Sequence, residues 1–131
     1  MKLLMHVLRE NKKLNIDNTV LGAAGIISKL HEEQNEVIES ILNYSENRTL
    51  SNLKEIIRET LDVIQICILI IWRCHRQALD LDEPNLIENI NMEHKDKLIE
   101  RKWIFETGIE IDIKEWFIWK KKLRENLLYI D

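Results

Sequence analysis

The stretch "RETLDVIQICILIIWRC", Arg58 to Cys74, decides how this chain of 131 residues folds. From Leu61 to Trp72 it is apolar on nearly every side, which is typical of a helix in the centre of a bundle. Two carboxylates, Glu59 and Asp62, stand where this apolar run begins. A helix buried on all sides has little room for charge, so these two residues need a reason to be there.

The rest of the chain is also rich in helix formers, with only three glycines and one proline. The sequence therefore predicts an all-α protein, a four- to five-helix bundle in a single domain over residues 1–131. The motif-bearing core covers about residues 19–105. Helices are expected over Lys2–Lys12, Thr19–Asn43, Asn52–Ala78, Asn85–Phe105 and about 112–129, with Thr49 or Ser51 as the N-cap of the third.

The formal net charge of −4 argues against a nucleic-acid binder, which usually carries a basic stripe. The apolar run is about half the length that a membrane span requires, and the N-terminus is too short and too charged for a signal peptide. Cys67 and Cys74 lie two helical turns apart, about 10 Å, too far for a disulfide within one helix. We expect them to be small core residues of a cytoplasmic protein.

The C-terminal segment is amphipathic, with lysines and Arg124 opposite an apolar stripe. A basic amphipathic helix can lie on a membrane surface, but packing on the bundle or on a second subunit is the interpretation that we favour. The stripe consists of Trp116, Trp119, Leu123, Leu127 and Ile130.

The carboxylates of the two long helices are spaced so that they can meet. At about 100° per residue, Glu32, Glu33 and Glu36 share one face of their helix, and Glu59 and Asp62 share a face of the next. Helices joined by a short loop usually pack antiparallel, and both sets lie at nearly the same distance from the loop. This spacing predicts that Glu33, Glu36, Glu59 and Asp62 converge.

Converging carboxylates repel one another unless a cation is present, and hard oxygen ligands suit Mg²⁺ or Mn²⁺. Because Mg²⁺ bound in this way accepts phosphate oxygens, the pattern suggests metal-dependent phosphate chemistry. The plainer alternative is a solvated helix face whose charges pair with Lys29, Lys54 or Arg58. A ferritin-like di-iron site would need Glu-x-x-His motifs, and none of the four histidines follows a glutamate by three residues.

The ordered pair of motifs resembles the MazG-like all-alpha nucleoside triphosphate pyrophosphohydrolases, a superfamily that includes dimeric dUTPases and dCTP pyrophosphatases. The first motif, EExxE, is Glu32-Glu33-Gln34-Asn35-Glu36, and the second, ExxD, is Glu59-Thr60-Leu61-Asp62. Twenty-two residues separate the motifs, and "ETLDVIQICILIIWRC" is similar to the ExxDV motif with its following apolar helix. The resemblance covers roughly residues 20 to 103.

The resemblance implies that Glu33, Glu36, Glu59 and Asp62 hold Mg²⁺ or Mn²⁺, with Glu32 as a further ligand or close neighbour. It implies hydrolysis of a nucleoside triphosphate to a nucleoside monophosphate and pyrophosphate, with Glu36 or Glu33 activating the water. Lys97 and Arg101, in "HKDKLIERKW", correspond to basic residues that reach the substrate phosphates; their alternative is a solvated surface. It also implies a homodimer or homotetramer with the site near a subunit interface.

The chain departs from the family where many members have small residues, since Gln34 and Asn35 separate the glutamates here. The N-terminal segment offers no match that would identify the base. Two other functions stay open. One is a non-catalytic helical interaction protein that uses its last helix, and the other is a module that binds a nucleotide without cleaving it.

Overall fold

The structure, a computed structural model, describes residues 1–113, and these are mainly helical. The prediction of a helical protein is confirmed in this coarse form, while the small two-stranded sheet was not predicted. In chain order the elements are β1 Glu10–Asn11, β2 Ile16–Asp17, α1 Ala23–Glu46, α2 Leu50–Asp80 and α3 Leu86–Glu100.

Helices α1 and α2 pack against each other as a hairpin, joined by residues 47–49. The Asn47 N–H donates to the Asn43 carbonyl as α1 ends, and the Thr49 hydroxyl accepts from the Asn52 N–H at 3.1 Å. Thr49 is therefore the N-cap of α2, which confirms one of the two predicted caps. The short connection fixes the register of the two helices, and this register positions the carboxylates.

The core of the hairpin is small. Among residues 1–113, the buried apolar side chains are Ile66, Leu69 and Ala78, all on α2. On α1, Ser40 is buried and its hydroxyl donates to the Val37 carbonyl at 2.7 Å. The expectation that α2 would be covered nearly all round is wrong for the isolated chain, because Ile71 is 42% exposed.

The helix predicted over Lys2–Lys12 is wrong. The chain runs without helix to Glu10, where β1 pairs antiparallel with β2 in the register Glu10–Asp17 and Asn11–Ile16. Backbone carbonyls of this segment accept side-chain hydrogen bonds: the His6 carbonyl from Gln65 of α2, and the Leu8 carbonyl from Asn18 at 2.9 Å. A helix of this length is marginal on its own, so these contacts decide its conformation.

Helix boundaries shift for local reasons. Helix α1 begins at Ala23 rather than Thr19, because Asp17 Oδ1 accepts hydrogen bonds from the Thr19 N–H and hydroxyl and holds a turn there. Helix α3 ends at Glu100 rather than Phe105. Lys102 has a φ of 67°, a left-handed conformation that terminates helices, and the Trp103 N–H donates to the Leu98 carbonyl.

The chain divides into two compact units, Met1–Lys95 and a second that begins at Asp96 within α3. No residue of α3 is buried, and residues 103–113 of the second unit contain no helix or strand. The helix predicted over about 112–129 lies almost entirely outside the described residues. Within the described part, no helix is both long and apolar enough to cross a membrane.

Candidate metal centre

Three carboxylates from the two helices meet across the hairpin. One carboxylate oxygen each from Glu33 of α1 and from Glu59 and Asp62 of α2 lie within 4.8 Å of one another. Glu33 lies 14 residues before Asn47, and Asp62 lies 13 residues after Thr49, so a three-residue connection places these two at similar heights, with Glu59 one turn nearer the connection. The register of the hairpin thus assembles the cluster.

Glu36 joins this group from α1. Its carboxyl is close enough to share hydrogen bonds with both Glu33 and Glu59 when one member of the pair is protonated. The structure therefore brings together all four residues for which the spacing predicts convergence. Glu32, the fifth acidic residue of the two motifs, is exposed, and its charge acts on Glu33.

The cluster is covered by protein on one side and open on the other. Glu33 and Glu59 are half-buried, and the Oε2 atom of each is buried without a hydrogen-bond partner among the described residues. Glu36 and Asp62 are exposed. Asp62 therefore lies on the open side of α2, although the apolar run that it begins is typical of a buried helix. Two covered oxygens beside two accessible ones make a site that a solute can reach.

The crowding raises the pKa of two members. The pKa of Glu59 rises from 4.5 to about 7, first through the hydrogen bond that it shares with Glu36, then through burial and a hydrogen bond with Glu55. The pKa of Glu33 rises first through burial and then through the negative charges of Glu36 and Asp62. In each case the ionised form is disfavoured, so without a cation these two carboxyls keep a proton to a higher pH than an ordinary glutamate does.

The residues fit a small hard cation. A buried carboxylate oxygen without a donor is costly, and either a shared proton or a bound cation removes that cost. Arg58, the basic residue next to Glu59 in sequence, pairs instead with Glu55 at 2.8 Å on the surface. Four oxygen ligands without nitrogen or sulfur match the preference of Mg²⁺ or Mn²⁺.

Glu55 is a further acidic residue beside the cluster that the two sequence motifs do not include. It lies one turn before Glu59, and its carboxyl contacts that of Glu59 while accepting a hydrogen bond from Arg58. The signal was available, since residues four apart share a helix face. Glu55 extends the acidic surface of the cluster along α2.

The two predicted phosphate-binding residues belong to the second unit of the chain. Lys97 lies in the last turn of α3, and the Arg101 N–H that follows donates to the Lys97 carbonyl at 3.0 Å. Both side chains are exposed. They stand one turn apart, as the spacing indicates, and their role towards a substrate remains a prediction.

No family model matches this chain, and neither a curated protein nor a solved structure is found to be similar to it. The functional interpretation therefore depends on the residues of the cluster and on the resemblance of the two motifs.

Proposed function

We propose that this protein is a Mg²⁺-dependent nucleotide pyrophosphohydrolase, which cleaves the α–β phosphoanhydride of a ribo- or deoxynucleoside triphosphate to the monophosphate and pyrophosphate. The observation that carries the proposal is the pair of buried Oε2 atoms of Glu33 and Glu59, which have no hydrogen-bond partner within the described part of the chain and lie beside Asp62. Together with EExxE and ExxD in the same order as in MazG-like enzymes, this geometry supports a metal centre for phosphate chemistry.

In this proposal Glu33, Glu36, Glu59 and Asp62 hold Mg²⁺ or Mn²⁺, and Glu32 stands beside them. A divalent cation bound here supplies positive charge for the phosphate oxygens and favours ionisation of the attacking water. The half-buried pair anchors the site, because the Oε2 atom of each has no hydrogen-bond partner among residues 1–113. The exposed pair faces solvent, from which substrate and water arrive.

Glu36 or Glu33 serves as the general base. The water oxygen forms a bond to phosphorus while the bond from phosphorus to the bridging oxygen breaks, and the carboxylate takes the water's proton. Glu36 is exposed and adjacent to both Glu33 and Glu59, so it can contact a water molecule at the open side of the cluster. For Glu33, burial raises the pKa of the carboxyl, which brings it towards the range in which a base works near neutral pH.

The proposal extends to the rest of the molecule. Lys97 and Arg101 bind the substrate phosphates, the helices belong to a four- to five-helix bundle of the MazG-like type, and the protein is a cytoplasmic homodimer or homotetramer. The support for these points is the resemblance of residues 20 to 103, together with the helical class of the described part.

The test is pyrophosphate release from a panel of ribo- and deoxynucleoside triphosphates, with Mg²⁺ and with EDTA, beside Glu36→Gln. Glu46→Gln is the matched control, because Glu46 is an exposed glutamate at the far end of α1. We expect Mg²⁺-dependent release from at least one nucleotide, lost in Glu36→Gln and retained in Glu46→Gln. Release from none would sink the proposal. Metal-dependent nucleotide binding without release would instead identify the non-catalytic binding module.

A further inference from the structure

A cavity of about 460 Å³ lies between the start of α1 and the end of α2. It begins about one helical turn from Glu33 and extends away from the carboxylates, so it shares no residue with the candidate metal centre. Pockets that bind small molecules commonly have volumes of roughly 300 to 1,000 Å³, a mainly apolar lining and a few polar groups. This cavity has that size, and its aliphatic lining consists of Ala23, Ile26, Ile27, Leu30 and Ile70.

A guanidinium is held at one end of this cavity. Arg73 of α2 lines the cavity, and its Nη1 donates to the backbone carbonyls of Asn18 at 3.3 Å and of Leu21 at 2.5 Å. Asn18 is itself fixed, because it is buried and its N–H donates to the Arg9 carbonyl at 2.8 Å. Among residues 1–113, no acidic side chain lines the cavity. The backbone therefore positions the positive charge of Arg73 without neutralising it.

The start of α1 adds to the positive character of the same end. Ala23, in the first turn of α1, lines the cavity, and this turn contains no acidic residue. The N-terminus of a helix carries a partial positive charge, which here reinforces that of Arg73. Leu30 and Ile70 make the other end of the cavity apolar. The cavity thus has one end that favours negative charge and one that favours hydrocarbon.

We propose that this cavity binds a small amphipathic carboxylate, an aliphatic acid whose head group pairs with Arg73 and whose chain lies against Leu30 and Ile70. A planar carboxylate accepts two parallel hydrogen bonds from a guanidinium, a geometry that gives arginine its preference for such anions. From Ala23 to Leu30 the cavity extends about 10 Å along α1, which suits an unbranched chain of medium length. The proposal does not rest on the catalytic function.

The lining favours this ligand over a nucleobase. Proteins recognise unpaired bases by stacking them on aromatic side chains and by forming hydrogen bonds along their edges. Within the described part of the chain, no aromatic side chain lines the cavity, and its polar groups other than Arg73 are the amide of Gln77 and the thiol of Cys74. A cation would be repelled by Arg73. An aliphatic acid matches both ends of the cavity.

The two cysteines test the proposal on the native chain. Cys74 lines the cavity and Cys67 does not, although both thiols are exposed. We would measure the rate at which iodoacetamide alkylates each thiol, by mass spectrometry of the full chain with increasing octanoate. At an octanoate concentration about ten times its Kd, the fraction of empty cavities falls about tenfold, and we expect alkylation of Cys74 to slow accordingly. Cys67 is the internal control and should keep its rate.

Three results would overturn the proposal. Equal rates for Cys74 at every octanoate concentration, or an equal slowing of Cys67, would show that no carboxylate occupies the cavity. Protection by 1-octanol as strong as that by octanoate would show that the carboxylate is not recognised. Protection of Cys74 by a nucleoside triphosphate and not by octanoate would assign the cavity to the nucleotide.

A matched pair of substitutions in the first turn of α1 tests the position of the ligand. Ala23→Trp fills the cavity, whereas Ala24→Trp is the control, since Ala24 is equally exposed and does not line the cavity. Calorimetric titration with octanoate should show an affinity at least about tenfold lower for Ala23→Trp and unchanged for Ala24→Trp. The same affinity in both variants would contradict this position.

Arg73→Gln tests the recognition of the head group. We expect it to weaken octanoate binding at least about tenfold and to leave any binding of 1-octanol unchanged, because only the acid pairs with the guanidinium. Octanoate binding at the native affinity would overturn the proposal. If Arg73→Gln fails to fold, because Arg73 also holds the carbonyls of Asn18 and Leu21, the thiol measurement on the native chain still decides.

Discussion

The two faces of the α1–α2 hairpin carry different side chains: one is acidic, and the other is apolar and exposed. One face crowds four carboxylates together and raises the pKa of Glu33 and Glu59. The other leaves aliphatic side chains such as Ile27 and Ile57 half in water. Both faces come from the same helical repeat, rotated by roughly half a turn. The comparison teaches that a thin two-helix layer offers two separate surfaces, one suited to a cation and one to another apolar surface.

If the acidic and apolar sides of the hairpin are independent, Asp62→Asn should abolish activity without changing the assembly, and this is the largest effect that we expect. We expect pyrophosphate release to fall by more than about 100-fold, since an amide ligand holds a divalent cation less well than a carboxylate. Steady-state kinetics over a range of Mg²⁺ concentrations would measure this. The mass in solution should not change, because exposed aliphatic side chains of α2 such as Ile71 lie about 180° around the helix from Asp62. Activity close to that of the native chain would remove Asp62 from the metal centre.

Metal binding should also stabilise the fold, so the acidic face can be tested without an activity assay. A cation that binds only the folded chain adds about 2.7 kcal/mol at a concentration 100 times its Kd. We expect the melting temperature to rise by several degrees with Mg²⁺ or Mn²⁺. Glu33→Gln should reduce the rise, because it removes one of the two half-buried ligands. NaCl at matched ionic strength is the control, since salt alone screens the repulsion. Equal stabilisation by NaCl would contradict a specific site.

The free energy of unfolding of the metal-free protein should depend on pH through the acidic face and not through the apolar one. The pKa of Glu59 in the folded chain is about 7, against an ordinary value of 4.5, so the folded state holds the proton more tightly. The contribution of this group to stability is therefore fully present below the ordinary pKa and is lost as the pH rises towards 7. In EDTA, urea unfolding should show stability decreasing over that window, and Glu59→Gln should flatten the decrease. Ile57→Lys should leave this slope unchanged, because Ile57 lies about 160° around α2 from Glu59.

The sequence predicts those parts of the fold and the site that depend on residues close together in the chain. The polar loop and Thr49 defined the hairpin, and equal spacing from that loop was enough to place Glu36 opposite Glu59. The N-terminal segment could not be predicted in the same way. Its carbonyls are bonded by Gln65, 59 residues away from His6, and by Asn18, contacts that periodicity does not contain.

The cysteines show a second limit. Their apolar surroundings in the sequence led to the expectation that Cys67 and Cys74 lie in the core, yet both are exposed in the isolated chain. Hydrophobic periodicity tells which residues avoid water, but it does not tell whether the same chain or another copy covers them.

The smallest change in stability that we expect comes from the connection between α1 and α2, which sets the register of the two helices. Thr49→Ala removes the hydroxyl that accepts from the Asn52 N–H at 3.1 Å, leaving a donor of the first turn of α2 without its partner. We expect a loss of about 1 kcal/mol in the free energy of unfolding, measured by urea titration. Ser51→Ala is the matched control, because Ser51 is exposed and lies inside the helix, where alanine is favourable. An equal loss in both variants would mean that the connection is not held by this cap. With the cap lost but the register kept, Mg²⁺ should stabilise Thr49→Ala as much as the native chain. If that stabilisation falls as well, the cap positions Glu33 against Glu59 in addition to stabilising α2.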